Sequence, residues 1–356
     1  MSTLFDSLTI RGITFRNRIG ISPMCQYSSQ DGYANDWHLV HLGARAIGGA
    51  GLIIAEATAV EPRGRITPHC AGLWDDAQIG PLLRVTQFIK EHGAVAGIQL
   101  AHAGRKASAS RPWEGDRLIG EKDGGWEPWG PSAIAFGDNL PRAPHEMTVP
   151  EIHGVTGRFV EATRRAAAAG FEFVELHAAH GYLAHSFLSP LSNRRSDEYG
   201  GRFENRARFT IETFRAMRAV WPEHLPMAVR ISCTDWAEGG WTIEDSVELA
   251  KRLKSEGADF IDCSSGALVP DAKIPFAPGF QVPFAERIRK EAGIATMAVG
   301  GITTPRQAEE IIAEGRADVV LIARESLRDP HWPARAAKEL LGEHFLSRLP
   351  VQYVRV

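Results

Sequence analysis

Short apolar runs rich in β-branched residues alternate with longer stretches of helical periodicity along most of the chain. Eight such runs begin near Ile19 (IGIS), Gly51 (GLIIAEA), Ala94 (AVAGIQL), Phe171 (FEFVELH), Pro226 (PMAVRIS), Asp259 (DFIDCSS), Ala295 (ATMAVGG) and Asp318 (DVVLIAR). Near-continuous apolar strands separated by helices predict a parallel sheet covered by helices. Helical patterns run over 76–92, 150–169, 205–220, 243–257, 283–292, 305–315 and 330–341. Gly93, Gly170, Gly257, Gly293 and Gly315 close helices just before strands, where the αβ turn needs positive φ. Eight strands predict an α/β fold of the closed (β/α)8 TIM-barrel type. No G-x-G-x-x-G follows the first strand, which argues against an open dinucleotide-binding sheet. The segments 7–10 and 13–15, around Arg11-Gly12, predict a β-hairpin lid on the N-terminal face. Two segments, 103–147 and 178–205, are too long for plain connectors and predict capping loops at the C-terminal face. No linker or repeat divides the chain, so one domain is expected over 1–356.

Composition narrows this picture. With 44% hydrophobic residues in 356, the core needs no disulfide or metal to hold it. Net charge is -3 and no Lys/Arg-rich run occurs, which disfavours nucleic acid and acidic membrane surfaces. No apolar stretch reaches the ~18 residues of a membrane span, and no basic-then-apolar leader opens the chain. The four cysteines, Cys25, Cys70, Cys233 and Cys263, are scattered and fit a reducing compartment. A soluble, cytoplasmic protein without a metal site is expected.

Polar residues interrupt the apolar runs at the strands' C-terminal ends, where barrels of this kind carry their chemistry. Gly300, Gly301 and Arg324 end strands seven and eight, the recurrent phosphate site of the fold. Gln99 offers a donor and an acceptor to a flat heterocyclic edge. Arg230 lies in a strand, where an unpaired cation is costly. A bound anion would balance it, pointing to a phosphorylated heteroaromatic cofactor; an internal ion pair with an acid such as Glu175 would balance it equally well. His177, His180 and Tyr182 follow strand four. Two imidazoles and a phenol can bind an oxyanion and donate a proton, whereas H-x-x-H as a zinc site lacks a third ligand. Two ordinary loop histidines would show the same spacing.

The strings FRNRIGISPMCQY, NDWHLVHLGARAIGGAGLIIAEATAV, GRITPHCAGLWDD, QLAHAGRKAS, FVELHAAHGYLAHSFLSPLSNRRSDEYGG and RFENRARF, in this order, cover most of the chain. In them the chain resembles the Old Yellow Enzyme family of FMN-dependent ene-reductases, within its bacterial YqjM and xenobiotic reductase A-like group. The resemblance implies tightly bound FMN, with NADPH as hydride donor and enones or enals as substrates in a ping-pong cycle. It implies that Pro23, Met24, Cys25, Ala57, Gln99, Arg230, Gly300, Gly301, Ala323 and Arg324 hold the flavin. Many relatives have Gly where this chain has Ala323, but a backbone N–H contact survives that change. The resemblance further implies that His177 and His180 bind the substrate carbonyl, that Tyr182 donates the proton, and that Tyr27 and Cys25 flank the substrate. Arg355 is implied to reach a neighbouring subunit's site in a homodimer or homotetramer. Cluster-bearing relatives with an extra domain would need more chain and more cysteines. A non-redox phosphate-binding lyase or isomerase remains the alternative, with Glu56 the one candidate base at a strand end. A flavin carrier without turnover is a third.

Overall fold

The computed structural model describes residues 3–353 and 355, the side chains of 347 and 348 excepted. The chain opens on an antiparallel hairpin, β1 (Leu8–Ile10) and β2 (Ile13–Phe15). The barrel strands are β3 (Ile19–Ile21), β4 (Leu52–Ala59) and β5 (Val95–Ala101), then β8 (Phe173–Ala178), β9 (Met227–Ser232), β10 (Phe260–Ser264), β11 (Ala295–Ala298) and β12 (Val319–Ile322). All eight pair in parallel and β12 closes on β3. Two two-residue strands, β6 (Trp129–Gly130) and β7 (His145–Glu146), pair within the first capping loop.

The covering helices are α1 (Asp36–Ile47), α2 (Ile79–Glu91), α3 (Val149–Ala168), α5 (Phe203–Arg218), α6 (Ile243–Ser255), α7 (Val282–Ala292), α8 (Pro305–Ala313) and α10 (Trp332–Leu341). Two short ones, α4 (Leu183–Leu188) and α9 (Arg324–Arg328), follow β8 and β12. The glycines expected to end helices have positive φ, from 62° at Gly293 to 94° at Gly257. Thr148 caps α3 and Thr242 caps α6, each through a capping box.

Helix α1 was not expected from the sequence. Its inner face is His38, Leu42, Gly43, Arg45 and Ala46, so polar side chains occupy positions that periodicity reads as exposed. Its capping box uses His38 rather than the usual Glu or Gln. Gly43 is required because a Cβ there would come within 2.7 Å of the Phe88 ring on α2. Among the described residues no helix is long and apolar enough to cross a membrane.

Alternation along the strands sorts two cores. Residues such as Ile53, Ile98, Val174, Val229 and Ile261 pack outward against the helices. Leu52, Ile54, Val95, Phe173, Ala228, Phe260, Met297 and Leu321 fill the barrel interior. Phe15, from the hairpin, enters this inner set from below and meets Phe173 and Phe260 edge-on at 6.5 and 6.1 Å. The hairpin is thus a plug for the barrel's floor.

Three strands show how the interior changes with height, because residues two apart share a face. Phe173, Glu175 and His177 follow one another on β8, Ala228, Arg230 and Ser232 on β9, and Phe260, Asp262 and Ser264 on β10. An apolar floor gives way to an ionic layer and then to a polar rim. Phe15→Ala should remove about 3–5 kcal/mol of stability in a urea titration by leaving a cavity under the floor; a midpoint within error of the parent would show that the plug is not part of the core.

Candidate active site

The ionic layer carries the site from beneath. The Arg230 guanidinium lies 3.2 Å from Asp262 through Nε and donates from Nη1 to Ser22 Oγ at 3.1 Å. Gln99 donates from Nε2 to Glu175 at 2.7 Å. An internal ion pair therefore exists, but its contacting acid is Asp262 rather than Glu175. Burial pushes both carboxyls upward, and Glu175 also feels the neighbouring Asp262 charge, while Arg230 pulls both back. Glu175 is the protonated member, since only Asp262 contacts the cation. The layer is then close to neutral, as a low-dielectric interior demands. Arg230 Nη2 and Gln99 Oε1 have no hydrogen-bond partner among the described residues.

The rim above it holds the histidines. His177 accepts at Nδ1 from the Ala179 N–H at 3.3 Å, so a neutral ring carries its proton on Nε2. Burial and then the Arg230 charge depress both His177 and His180 well below the ordinary imidazole range, so both are neutral at pH 7. Their rings stand edge-to-face at 5.2 Å, and Tyr182 lies edge-to-face with His177 at 5.0 Å. His180 Nε2 is held by Ser264 Oγ at 2.7 Å; with that hydroxyl donating, the free imidazole N–H is at Nδ1. Burial, then the nearby Cys25, raises Tyr182 well above the usual phenol range and keeps it protonated.

The turn presenting these groups is strained, with φ 59° at His180 and 74° at Gly181. Each of its polar backbone atoms is tied down. His180 N–H donates to Ser232 Oγ at 2.9 Å, and its carbonyl accepts from Lys106 Nζ at 3.1 Å. Gly181 N–H donates to His185 Nδ1 at 2.9 Å, and its carbonyl accepts from Ser186 Oγ at 3.0 Å. His185, fully buried on α4, bonds the equally buried Asp235 at 2.9 Å. Asp235 also accepts from Ser189 at 2.6 Å and from the Trp241 N–H at 2.7 Å. These three bonds outweigh burial and hold its carboxyl low. Such over-determination is what a strained functional turn requires.

The Pro23–Tyr27 segment forms another wall. Gln26 N–H donates to Glu56 at 3.0 Å, and His38 Nε2 lies 3.4 Å from the same carboxylate. Glu56 sits at a bulge in β4 that puts Ala57 opposite Gln99. It anchors the segment through Oε2, while its buried Oε1 has no hydrogen-bond partner among the described residues. Burial followed by Glu56 raises the Cys25 thiol well above the usual range, so it is no thiolate. Tyr27 has φ 51° and packs edge-on against Trp113 at 5.9 Å. Met24 is partly buried against the helix-side core.

At the opposite side, Gly300 and Gly301 have φ 105° and 66°. A Cβ would meet Gln281 Nε2 at 2.5 Å in the first case and the Ala277 carbonyl at 2.6 Å in the second. Ala323 precedes α9 with an unusual backbone, φ -105° and ψ -106°. Arg324 is exposed, forms no ion pair among the described residues, and lies 5.2 Å over the Phe276 ring. Donors and close backbone without a protein anion fit a phosphate. Among the described residues no three His, Cys, Asp or Glu side chains converge as a metal site.

The tail leading to Arg355, which is exposed, runs over the N-terminal face. The preceding residues Leu349, Pro350 and Gln352 line a groove with Phe5, Arg16, Asn17 and Gly93, on the N-terminal face, and Tyr353 packs near His331 at 6.0 Å. Several site residues went unnoticed in the sequence. Lys106, Asp235 and Asp262 are distant in the chain from the groups they serve, and His185 lies four residues after the Gly181 N–H it accepts from. Asp262 was findable by alternation, two residues from both Phe260 and Ser264. Lys106 stood within the quoted QLAHAGRKAS string.

The NADH:flavin oxidoreductase / NADH oxidase family matches residues 3–343. The chain belongs to this family, that of Old Yellow Enzyme. An NADPH dehydrogenase of Geobacillus thermodenitrificans is 51% identical over 99% of this chain and 98% of its own. The Old Yellow Enzyme homologue of Zymomonas mobilis superposes with a TM-score of 0.79 at 26% identity, covering 95% of this chain and 93% of that one. A 2-naphthoyl-CoA reductase gives 0.86 at 27% identity over 95% of this chain; the chain spans about half (52%) of that longer protein. Membership makes the chain a flavin oxidoreductase using a nicotinamide donor. The family fold is the one expected from the sequence.

Lys106 yields a pH test. Burial lowers its ammonium from 10.5 to about 8. Between these values the unfolded chain binds more protons than the folded one, so this group's contribution to stability rises with pH across that window. Urea midpoints of the parent relative to Lys106→Met should therefore rise from pH 7.5 to pH 10; a pH-independent difference would mean the lysine titrates normally.

Proposed function

We propose that the chain is an NADPH-dependent FMN ene-reductase acting on α,β-unsaturated carbonyl compounds. The carrying observation is the placement of two neutral imidazoles and a protonated phenol around one mouth, above a charge-balanced layer. FMN suits the residues present: Gly300, Gly301, the Ala323 backbone and Arg324 would take its phosphate. Gln99 and Arg230 would face its pyrimidine edge with their unused atoms, and Pro23, Met24, Cys25 and Ala57 would line the ring. When bound it supplies the redox chemistry, accepting hydride from NADPH and passing it to the substrate alkene.

This chain's own residues bind and polarise. The His177 Nε2–H and the His180 ring donate to the substrate carbonyl oxygen, drawing electron density from the alkene. Tyr182 donates its phenolic proton to the carbon next to the carbonyl. Its raised pKa keeps that proton available at every physiological pH. Tyr27 and Cys25 flank the substrate, and Arg355 reaches the mouth of a neighbouring subunit in a homodimer or homotetramer. Membership of a flavin oxidoreductase family disfavours the non-redox alternative.

Anaerobic stopped-flow tests the reading. NADPH should bleach the flavin band and cyclohexenone should restore it; bleaching without restoration would leave only a flavin carrier. His177→Ala should slow restoration about 10²–10³-fold, the effect of one lost oxyanion donor. Tyr182→Phe should slow it by up to about 10²–10⁴-fold, the range for a general acid. Parent-like reoxidation in both variants would remove these residues from the mechanism.

A further inference from the structure

One cavity at the C-terminal face has no part in the scheme above. It measures about 560 Å³ and is lined by Glu61, Arg63, Arg65, Trp74, Trp126 and Arg158, with Pro62 and Gly124. Three guanidiniums face a single carboxylate. That carboxylate is largely engaged elsewhere, since Glu61 bonds His102 Nε2 at 3.0 Å while Arg63 stands 3.9 Å away. Arg158 is exposed on α3 and has no hydrogen-bonded or ion-paired partner among the described residues. The cavity keeps a net positive charge of about two.

Two of the arginines lie against indole rings. Arg65 lies 5.5 Å from the Trp74 ring and 5.0 Å from the Trp126 ring, and Arg63 lies 4.0 Å over Trp129. Arg65 is further set by bonds from Nε to the Pro62 carbonyl at 2.8 Å and from Nη1 to the Pro68 carbonyl at 3.2 Å. The Trp126 indole N–H donates to the Arg63 carbonyl at 2.8 Å. Arg65 is committed to the Pro62 and Pro68 carbonyls, but the Arg63 and Arg158 guanidiniums make no hydrogen bond among the described residues and can take an anion, and an indole face accepts a flat heterocycle. An anion joined to an aromatic base satisfies both.

Its position relates it to the reaction site. The Gly64–Ile66 turn lines a small void shared with Ala57, Cys70 and Tyr182, while Arg65 of the same turn lines the cavity. Arg65 lines both spaces, so this turn borders each. A dinucleotide whose nicotinamide end occupies the mouth can pass its other end over it.

We propose that this cavity binds the 2′-phosphoadenosine end of NADPH, with Arg63 and Arg158 holding the 2′-phosphate and an indole of Trp74 or Trp126 supporting the adenine. It rests on the reading of the chain as an NADPH-dependent reductase and adds the origin of its preference for the phosphorylated donor.

The test is the reductive half-reaction of the FMN-loaded enzyme, with NADPH and NADH titrated separately. Arg63→Ala with Arg158→Ala removes two exposed side chains. The apparent Kd for NADPH should rise about 10-fold or more, the scale of a lost charge-assisted contact, with the NADH value within about twofold of the parent. Trp126→Ala should weaken both donors together, because adenine is common to them. Unchanged NADPH binding in the double variant, or equal weakening of NADPH and NADH by it, would overturn the assignment. So would a parent enzyme that binds the two donors equally. A parent that NADPH does not reduce at all would instead defeat the functional reading itself. Enone reoxidation of dithionite-reduced double variant, at the parent rate, shows that the mouth is intact.

Discussion

A charged guanidinium inside a closed barrel is the constraint on which the rest is built. An isolated buried ion costs several kcal/mol even after relaxation, so Arg230 needs compensation wherever the strand places it. Asp262 supplies it from the adjacent strand at 3.2 Å. Beside this pair Glu175 stays protonated, because a second anion in the layer would cost more than its proton. The layer ends near neutrality, yet its positive field still reaches upward. That field, added to burial, keeps His177 and His180 neutral. Neutral imidazoles can each accept one bond and donate one, which lets them be pinned by the protein and still offer an N–H to a ligand.

The second requirement is a turn held in an unfavourable conformation. His180 and Gly181 adopt positive φ and would relax without restraint. Ser232, Lys106, His185 and Ser186 take the four polar backbone atoms, and Asp235 anchors His185 from the loop after β9. Residues from three separate barrel strands or their following loops thereby converge on two peptide units. Precision at the mouth comes from this network rather than from packing alone.

Legibility in the sequence followed the range of the physics. The eight strands, the hairpin and the glycines at helix ends are local signals, and each has its place in the barrel. Helix α1 was missed because its buried face carries His38 and Arg45, which satisfy themselves through Asn35, Ser29, His41 and Ser326 rather than through apolar packing. The sequence left Arg230 open between a bound anion and an internal pair with an acid such as Glu175; the internal pair is present, and the register makes Asp262 its contacting acid. Roles set by distant pairings, such as Lys106 under the His180 carbonyl or Glu56 behind Gln26, need the closed barrel to be seen. The resemblance stated from the motifs identified the family, but the restraint of the turn came only from coordinates.

The proposed function requires a flavin that would sit across the mouth, with its phosphate over Gly300 and Gly301 and its edge toward Gln99 and Arg230. Its most direct test is to strip the purified protein of any pigment and titrate it with FMN, following absorbance and fluorescence quenching. The result expected is saturation at one FMN per chain with shifted flavin bands. A folded protein that takes up no FMN at any concentration tried would contradict it.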